Sequence, residues 1–259
     1  MKPCSSAGCP ARTFPVKAAT AGLLLAAFVS QQCQAAIALD RTRVIFDGAQ
    51  KSVSLDISNQ NKQLPYLAQG WLEDEKGNKI TSPLTVLPPV QRIEPGKPSQ
   101  IKIQALPAVR QLPQNRETVY YFNLREIPPK STKPNTLQIA LQTRIKLFYR
   151  PAGIAADRNA PPPQEQLTLS RQGDRYSITN PTPYYVTLVD AGSRKGAPGV
   201  KDFEPVMVPP KETRLLSVSA AGLGSSPVLT YVDDYGGRPQ LTFTCAGTTC
   251  HVVPDRKHG

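Results

Sequence analysis

Between Leu137 and Pro151 the chain reads LQIALQTRIKLFYRP, with apolar Leu137, Ile139, Leu141, Ile145 and Leu147 alternating with polar Gln138, Gln142, Arg144 and Lys146. Alternation of period two is the mark of a β-strand with unlike faces, and a helix cannot present it as a single stripe. Such a strand has two uses. Its leucine face can lie in the core of a sandwich, or it can stand at an edge and offer apolar side chains and free backbone groups to a second chain. The 27 prolines, spread along the sequence, favour many short strands and turns over helices.

The first 35 residues are expected to be a signal peptide, with basic Lys2, Arg12 and Lys17 before and at the start of an apolar run from Ala18 to Val29. That run is too short for a membrane-spanning helix. Small residues at Cys33-Gln34-Ala35 offer a cleavage site, so the exported chain starts near Ala36. No membrane insertion is expected after cleavage. Cys245 and Cys250 then remain, and an even pair in an exported chain reads as a disulfide, with free thiols or half a metal site as alternatives. The only histidines are His251 and His258, which leaves zinc little support and no metal or other cofactor expected. Beyond the leader, 28 basic residues face 19 acids. That excess suits nucleic acid, anionic envelope surfaces or acidic polypeptides. Export and the lack of an aromatic platform argue against nucleic acid.

Leu39 to Phe46 reads as a first strand ended by the turn Asp47-Gly48, its face of Leu39, Arg41, Arg43 and Ile45 placing charge among apolar neighbours. Strands follow around Val53–Ile57, Tyr66–Leu72 and Ile101–Ile103, and Leu112 to Pro128 supplies a turn and a further strand, with Trp71 expected in the core. About seven strands without a convincing helix make one immunoglobulin-like sandwich. Ala152 to Pro163 changes composition and reads as a linker, placing a first domain at 36–155 and a second at 156–259. Strand-sized segments then recur at 166–170, 176–179, 184–190, 205–208, 213–218, 228–232, 240–245 and 250–253, a second, smaller β-sandwich. Catalytic motifs are wanting. Gly222-Leu-Gly-Ser-Ser226 lacks the glycine of a nucleophile elbow, and the acid pairs Glu73/Glu75 and Asp233/Asp234 sit in charged turns or strand ends. An enzyme is therefore not expected.

Leu112 to Pro128 (LPQNRETVYYFNLREIP) resembles the signature of the periplasmic pilus chaperones. LDRTRVIFDG at 39–48, LQIALQTRIKLFYRP, NPTPYYVT at 180–187 and DDYGGRP at 233–239 are similar to the P-pilus type within that family. The resemblance implies two immunoglobulin-like domains set in an L, working in the periplasm without catalysis. It implies that Arg43 and Lys146 hold the terminal carboxylate of a pilin subunit. Leu137, Ile139 and Leu141 are then the residues lent to the incomplete pilin fold, with backbone bonds giving affinity. It further implies an interdomain salt-bridge set of Glu117, Arg150 and Asp234, and a Cys245–Cys250 disulfide. The implied partners are pilins and an outer-membrane usher, and the exposed apolar row is compatible with self-association of the free chain. The alternative is a two-domain surface or adhesion module that is itself part of a fibre. Lys146 has the opposite parity from Leu137, Ile139 and Leu141, so a bulge, twist or bend is expected before it.

Overall fold

A computed structural model describes residues 35–157 and 160–254, and the expected signal peptide lies outside these apart from Ala35. In chain order the strands are β1 (Ile37–Leu39), β2 (Arg43–Asp47), β3 (Ser52–Asn59), β4 (Tyr66–Glu73), β5 (Lys79–Ile80), β6 (Leu84–Leu87), β7 (Val90–Ile93), β8 (Pro98–Ala105), β9 (Thr118–Ile127) and β10 (Gln142–Arg150). After the connection come β11 (Thr168–Gln172), β12 (Arg175–Thr179), β13 (Val186–Gly192), β14 (Val206–Val208), β15 (Thr213–Ser219), β16 (Val228–Val232), β17 (Gln240–Ala246) and β18 (Thr249–Val252). Among the described residues one α-helical turn, α1 (Ala220–Leu223), runs into the glycine-rich segment that lacks the elbow pattern, and short 3-10 turns lie at Pro107–Gln111, Ala152–Ile154 and Pro163–Gln166. The protein is all-β, with two immunoglobulin-like β-sandwich domains.

In the first sandwich, a sheet ordered β1-β3-β8-β6 packs on one ordered β2-β10-β9-β4-β5, with β7 also on β4. Alternation decides what lies between them. Leu55 and Ile57 of β3, Ile101 and Ile103 of β8, Phe122 and Leu124 of β9, and Ile145 and Leu147 of β10 are all buried in one cluster. The second domain orders its strands β14-β13-β16-β17-β18-β11-β12-β15 around Leu169, Ile178, Leu188, Leu229 and Phe243. Its turns are set by buried amides and glycines. Asn180 Nδ2 donates to the carbonyls of Tyr184 (2.7 Å), Val208 (3.2 Å) and Pro209 (3.0 Å), which fixes the Asn-Pro-Thr-Pro turn before β13.

Two expectations are corrected. Leu39 to Phe46 is not one strand: β1 pairs antiparallel with β3, whereas β2 runs parallel to β10 in the opposite sheet. The chain crosses between layers at Asp40–Thr42, so Leu39 packs on the core while Arg43 and Ile45 face outward, with Val44 and Phe46 buried. Trp71 is not a core residue. Ala68, Gly70 and Leu72 take the inward places of β4, and a Cβ at Gly70 would come within 3.0 Å of Val86 Cγ1, so the sheets leave no inward room there. Trp71 lies on the outer face, its Nε1 donating to Glu73 Oε1 (2.8 Å) and its ring flanked by Lys79 (4.5 Å) and Arg125 (5.1 Å). Glu73 is correspondingly held by Arg144 at 3.0 Å rather than left in a solvated turn.

Candidate functional site

β10 is the strand that the parts of the site are arranged along, carrying Lys146 and Arg150 itself. It pairs with β9 in unbroken register from Gln142–Arg125 to Tyr149–Thr118, so the expected bulge before Lys146 is absent. Strict alternation accomplishes what the bulge was invoked for. Ile145, Leu147 and Tyr149 point into the core, and Lys146, Phe148 and Arg150 point to the other face, where the second domain packs. The cations and the apolar row therefore belong to opposite faces of one strand, and the regular ladder puts Lys146 directly beside Arg43 across the β10–β2 pairing.

Upstream of β10 the expected strand is shorter than its pattern. Leu137 to Leu141 make no ladder, apart from the Leu141 carbonyl accepting the Glu126 N–H at 3.0 Å. Leu137, Ile139 and Leu141 are 85 %, 65 % and 38 % exposed. They share the odd positions of Ile145 and Leu147, yet none joins the buried cluster between the sheets, and Leu137 and Ile139 are largely open to solvent. The backbone edge is open there as well. β2 covers β10 only from Lys146 to Arg150, so on that side Gln142 to Ile145 have no neighbouring strand among the described residues.

Where the open edge ends, two positive charges meet. Arg43 Nη1 donates to the Val232 carbonyl of the second domain at 3.0 Å, while its buried Nε has no partner. Neither Arg43 nor Lys146 forms an ion pair among the described residues. Burial, with further repulsion from Arg43 and Arg144, lowers the Lys146 pKa below its ordinary 10.5. Burial also lowers that of Arg43, against the attraction of Asp234, Asp233 and Glu117. Both groups would gain from an arriving anion, which returns the electrostatic stabilisation that burial removed. Arg43 lines a cleft of ≈ 550 Å³ together with Ile45, Arg150, Asp234 and Tyr235, and Lys146 stands beside it on the neighbouring strand rather than on its wall.

At the far end of β10, Arg150 bridges the domains. Its guanidinium grips Asp234 through Nη1–Oδ2 (2.7 Å) and Nη2–Oδ1 (3.0 Å), and its Nε donates to Glu117 Oε1 (2.8 Å). Glu117 Oε2 accepts the Tyr185 N–H (2.7 Å), and the Glu117 N–H donates to the Pro183 carbonyl (2.9 Å). Glu117 is only 3 % exposed, and burial raises its pKa despite the pull of Arg150. For Arg150, burial opposes the charge, but hydrogen bonding and attraction from Asp234 and Glu117 more than offset it. Sequence reasoning does not name the rest of this junction: Tyr184 stacks under Arg150 (4.8 Å) and donates to the Ile154 carbonyl (2.7 Å), and Tyr185 Oη donates to Glu75 (3.2 Å). Its signal was the pair of adjacent tyrosines following the Asn-Pro-Thr-Pro turn.

Cys245 and Cys250 face each other on β17 and β18 and are joined by a disulfide. Among the described residues no cluster of three His, Cys, Asp or Glu side chains could hold a metal ion, and no helix is long and apolar enough to cross a membrane.

Residues 36–155 match the model of the pili and flagellar-assembly chaperone PapD N-terminal domain, and residues 162–243 that of the pili assembly chaperone PapD C-terminal domain. The chain is 51 % identical over 235 residues to the probable fimbrial chaperone YfcS of Escherichia coli strain K12, covering 91 % of this chain and 92 % of that one. It is 50 % identical over 230 residues to the chaperone protein PapD of Escherichia coli, covering 88 % and 95 %. Among solved structures it is similar to the periplasmic chaperone SfaE, with a TM-score of 0.65 and 30 % identity over 81 % of this chain and 100 % of that one.

Proposed function

The chain belongs to the pili-assembly chaperone family, and from that premise we propose that it is a periplasmic, non-catalytic chaperone that lends a strand to pilin subunits and passes them to an outer-membrane usher. The observation that carries this reading is the open edge of β10 and its exposed upstream row, ending at two cations that form no ion pair among the described residues. A partner strand laid along Leu137 to Ile145 gains backbone hydrogen bonds from the free edge, and Leu137, Ile139 and Leu141 fill its unfilled groove. β2 blocks the edge from Lys146 onward. A partner strand running parallel to β10 must therefore stop there, with its C-terminal carboxylate against Arg43 and Lys146. Glu117, Arg150 and Asp234 fix the domain that supplies the other wall of the cleft, a contribution to specificity more than to raw stability. The proposed domains are 36–155 and 156–259, after a cleaved leader.

The test is capture of a co-expressed pilin from a periplasmic extract. Arg43→Ala and Lys146→Ala are each expected to abolish capture while the circular dichroism spectrum stays that of the folded parent. Normal capture by both variants would remove the carboxylate anchor, and a chain found outside the periplasm would remove the setting.

A further inference from the structure

Two carboxylates are buried in the first domain, and they differ in one respect. Glu117 has Arg150, whereas Glu126, 6 % exposed on β9, has no cation among the described residues. Its side chain takes the parity of Phe122 and Leu124 and so enters the space between the sheets. There its Oε2 accepts the N–H of Ile37, the first residue of β1, at 2.8 Å. A buried carboxylate answered only by a neutral amide is costly, and its usual remedy is a positive charge.

A source of that charge lies one residue away. Consecutive backbone nitrogens are no more than about 3.7 Å apart, so Ala36 N is within roughly 6.5 Å of Glu126 Oε2. Ala36 is itself buried, and its carbonyl accepts the Gln60 N–H at 2.6 Å, so it is already seated in the fold. In an unprocessed chain that nitrogen is a neutral amide. Hydrolysis of the Ala35–Ala36 bond converts it to an ammonium at the edge of the sandwich.

We propose that Glu126 is the receptor for the amino terminus created when the leader is removed at Ala36, so that processing completes an ion pair clamping β1 to β9. This rests on the export proposed above. It also touches the lending segment, because the Glu126 N–H holds the Leu141 carbonyl at 3.0 Å, at the base of the exposed row.

The experiment compares thermal unfolding of four chains made by export: the mature protein, its Glu126→Gln variant, and both with a Gly-Ser pair retained before Ala36. Glu126→Gln keeps an oxygen for the Ile37 N–H and removes only the charge. Intact mass of the mature protein should give Ala36 as the first residue. The extension should lower the melting temperature by about 2–4 °C in the parent, a shift typical of a modest interaction in a chain of this size, and leave the Glu126→Gln variant unchanged. Equal losses in both backgrounds would mean that the extension acts by crowding, and would overturn the proposal while leaving export and pilin capture intact. A first residue other than Ala36 would overturn it too, and a chain that keeps its leader would overturn export with it.

Discussion

Arg150→Met tests whether the interdomain ion set is held by its buried member. The substitution keeps the length of the side chain and removes the charge. Glu117 would be left sealed in the junction with only the Tyr185 N–H for company. Removing one partner of a buried pair costs about 3–5 kcal/mol. Asp234 adds little, because its side chain is 39 % exposed and turns to water, a loss of roughly 0–1 kcal/mol. Trp71, the only tryptophan, sits in the first domain with Glu117 and Arg150, so its fluorescence follows the unfolding that matters. At a slope of about 2 kcal/mol per molar urea, the midpoint should fall by roughly 1.5–2.5 M. The double variant Arg150→Met/Glu117→Leu should recover most of that loss, since replacing both charges by apolar groups is often neutral or better. A double variant no more stable than Arg150→Met alone would refute the reasoning, because the damage would then not come from a stranded Glu117.

Ile139→Ser should change the urea midpoint hardly at all, within about 0.5 kcal/mol for an exposed position, yet weaken pilin capture at least several-fold; a variant that unfolds more readily would mean that Ile139 packs within its own domain. The depressed pKa of Lys146 makes a second test. Between that value and 10.5 the unfolded chain holds a proton that the folded chain has lost, so this group makes stability rise with pH in that window. Urea midpoints measured across it should rise more in the parent than in Lys146→Met, and parallel curves would contradict the burial of the ammonium.

The segments of the second domain were legible because each is short, rich in strand-forming residues and bounded by turn residues, as β12, β16 and β17 show. The first strand misled for a physical reason. No glycine or proline interrupts Leu39 to Phe46, and a pattern of faces does not record that the chain changes sheets at Arg41, which reverses the meaning of inward. Trp71 misled because the inward places beside it are taken by small residues, Ala68 and Gly70, where Val86 approaches closely, while the largest side chain falls on the outer face. At the site, Arg43, Lys146, Glu117, Arg150 and Asp234 could be named through resemblance, but not arranged. The bulge follows from requiring cations and leucines to share a face, whereas a ladder with no register shift from Gln142 to Tyr149 separates them onto two. The adjacent Tyr184 and Tyr185 are visible in the sequence, but their partners depend on how two domains meet, which a local pattern does not give.

The unbroken β10 register makes the strand a ruler. From Leu141 to Lys146 is five residues, or about 17 Å at the rise of an extended chain, and no bulge is present to absorb a residue more or less. Clients of different sequence would then share one dimension, the number of residues between their last one and the first vacancy in their groove. Under the proposed capture, lengthening a subunit's tail by a single residue would swing every side chain before its anchored end to the wrong side, so the measure would exclude wrong clients by parity before affinity weighed them.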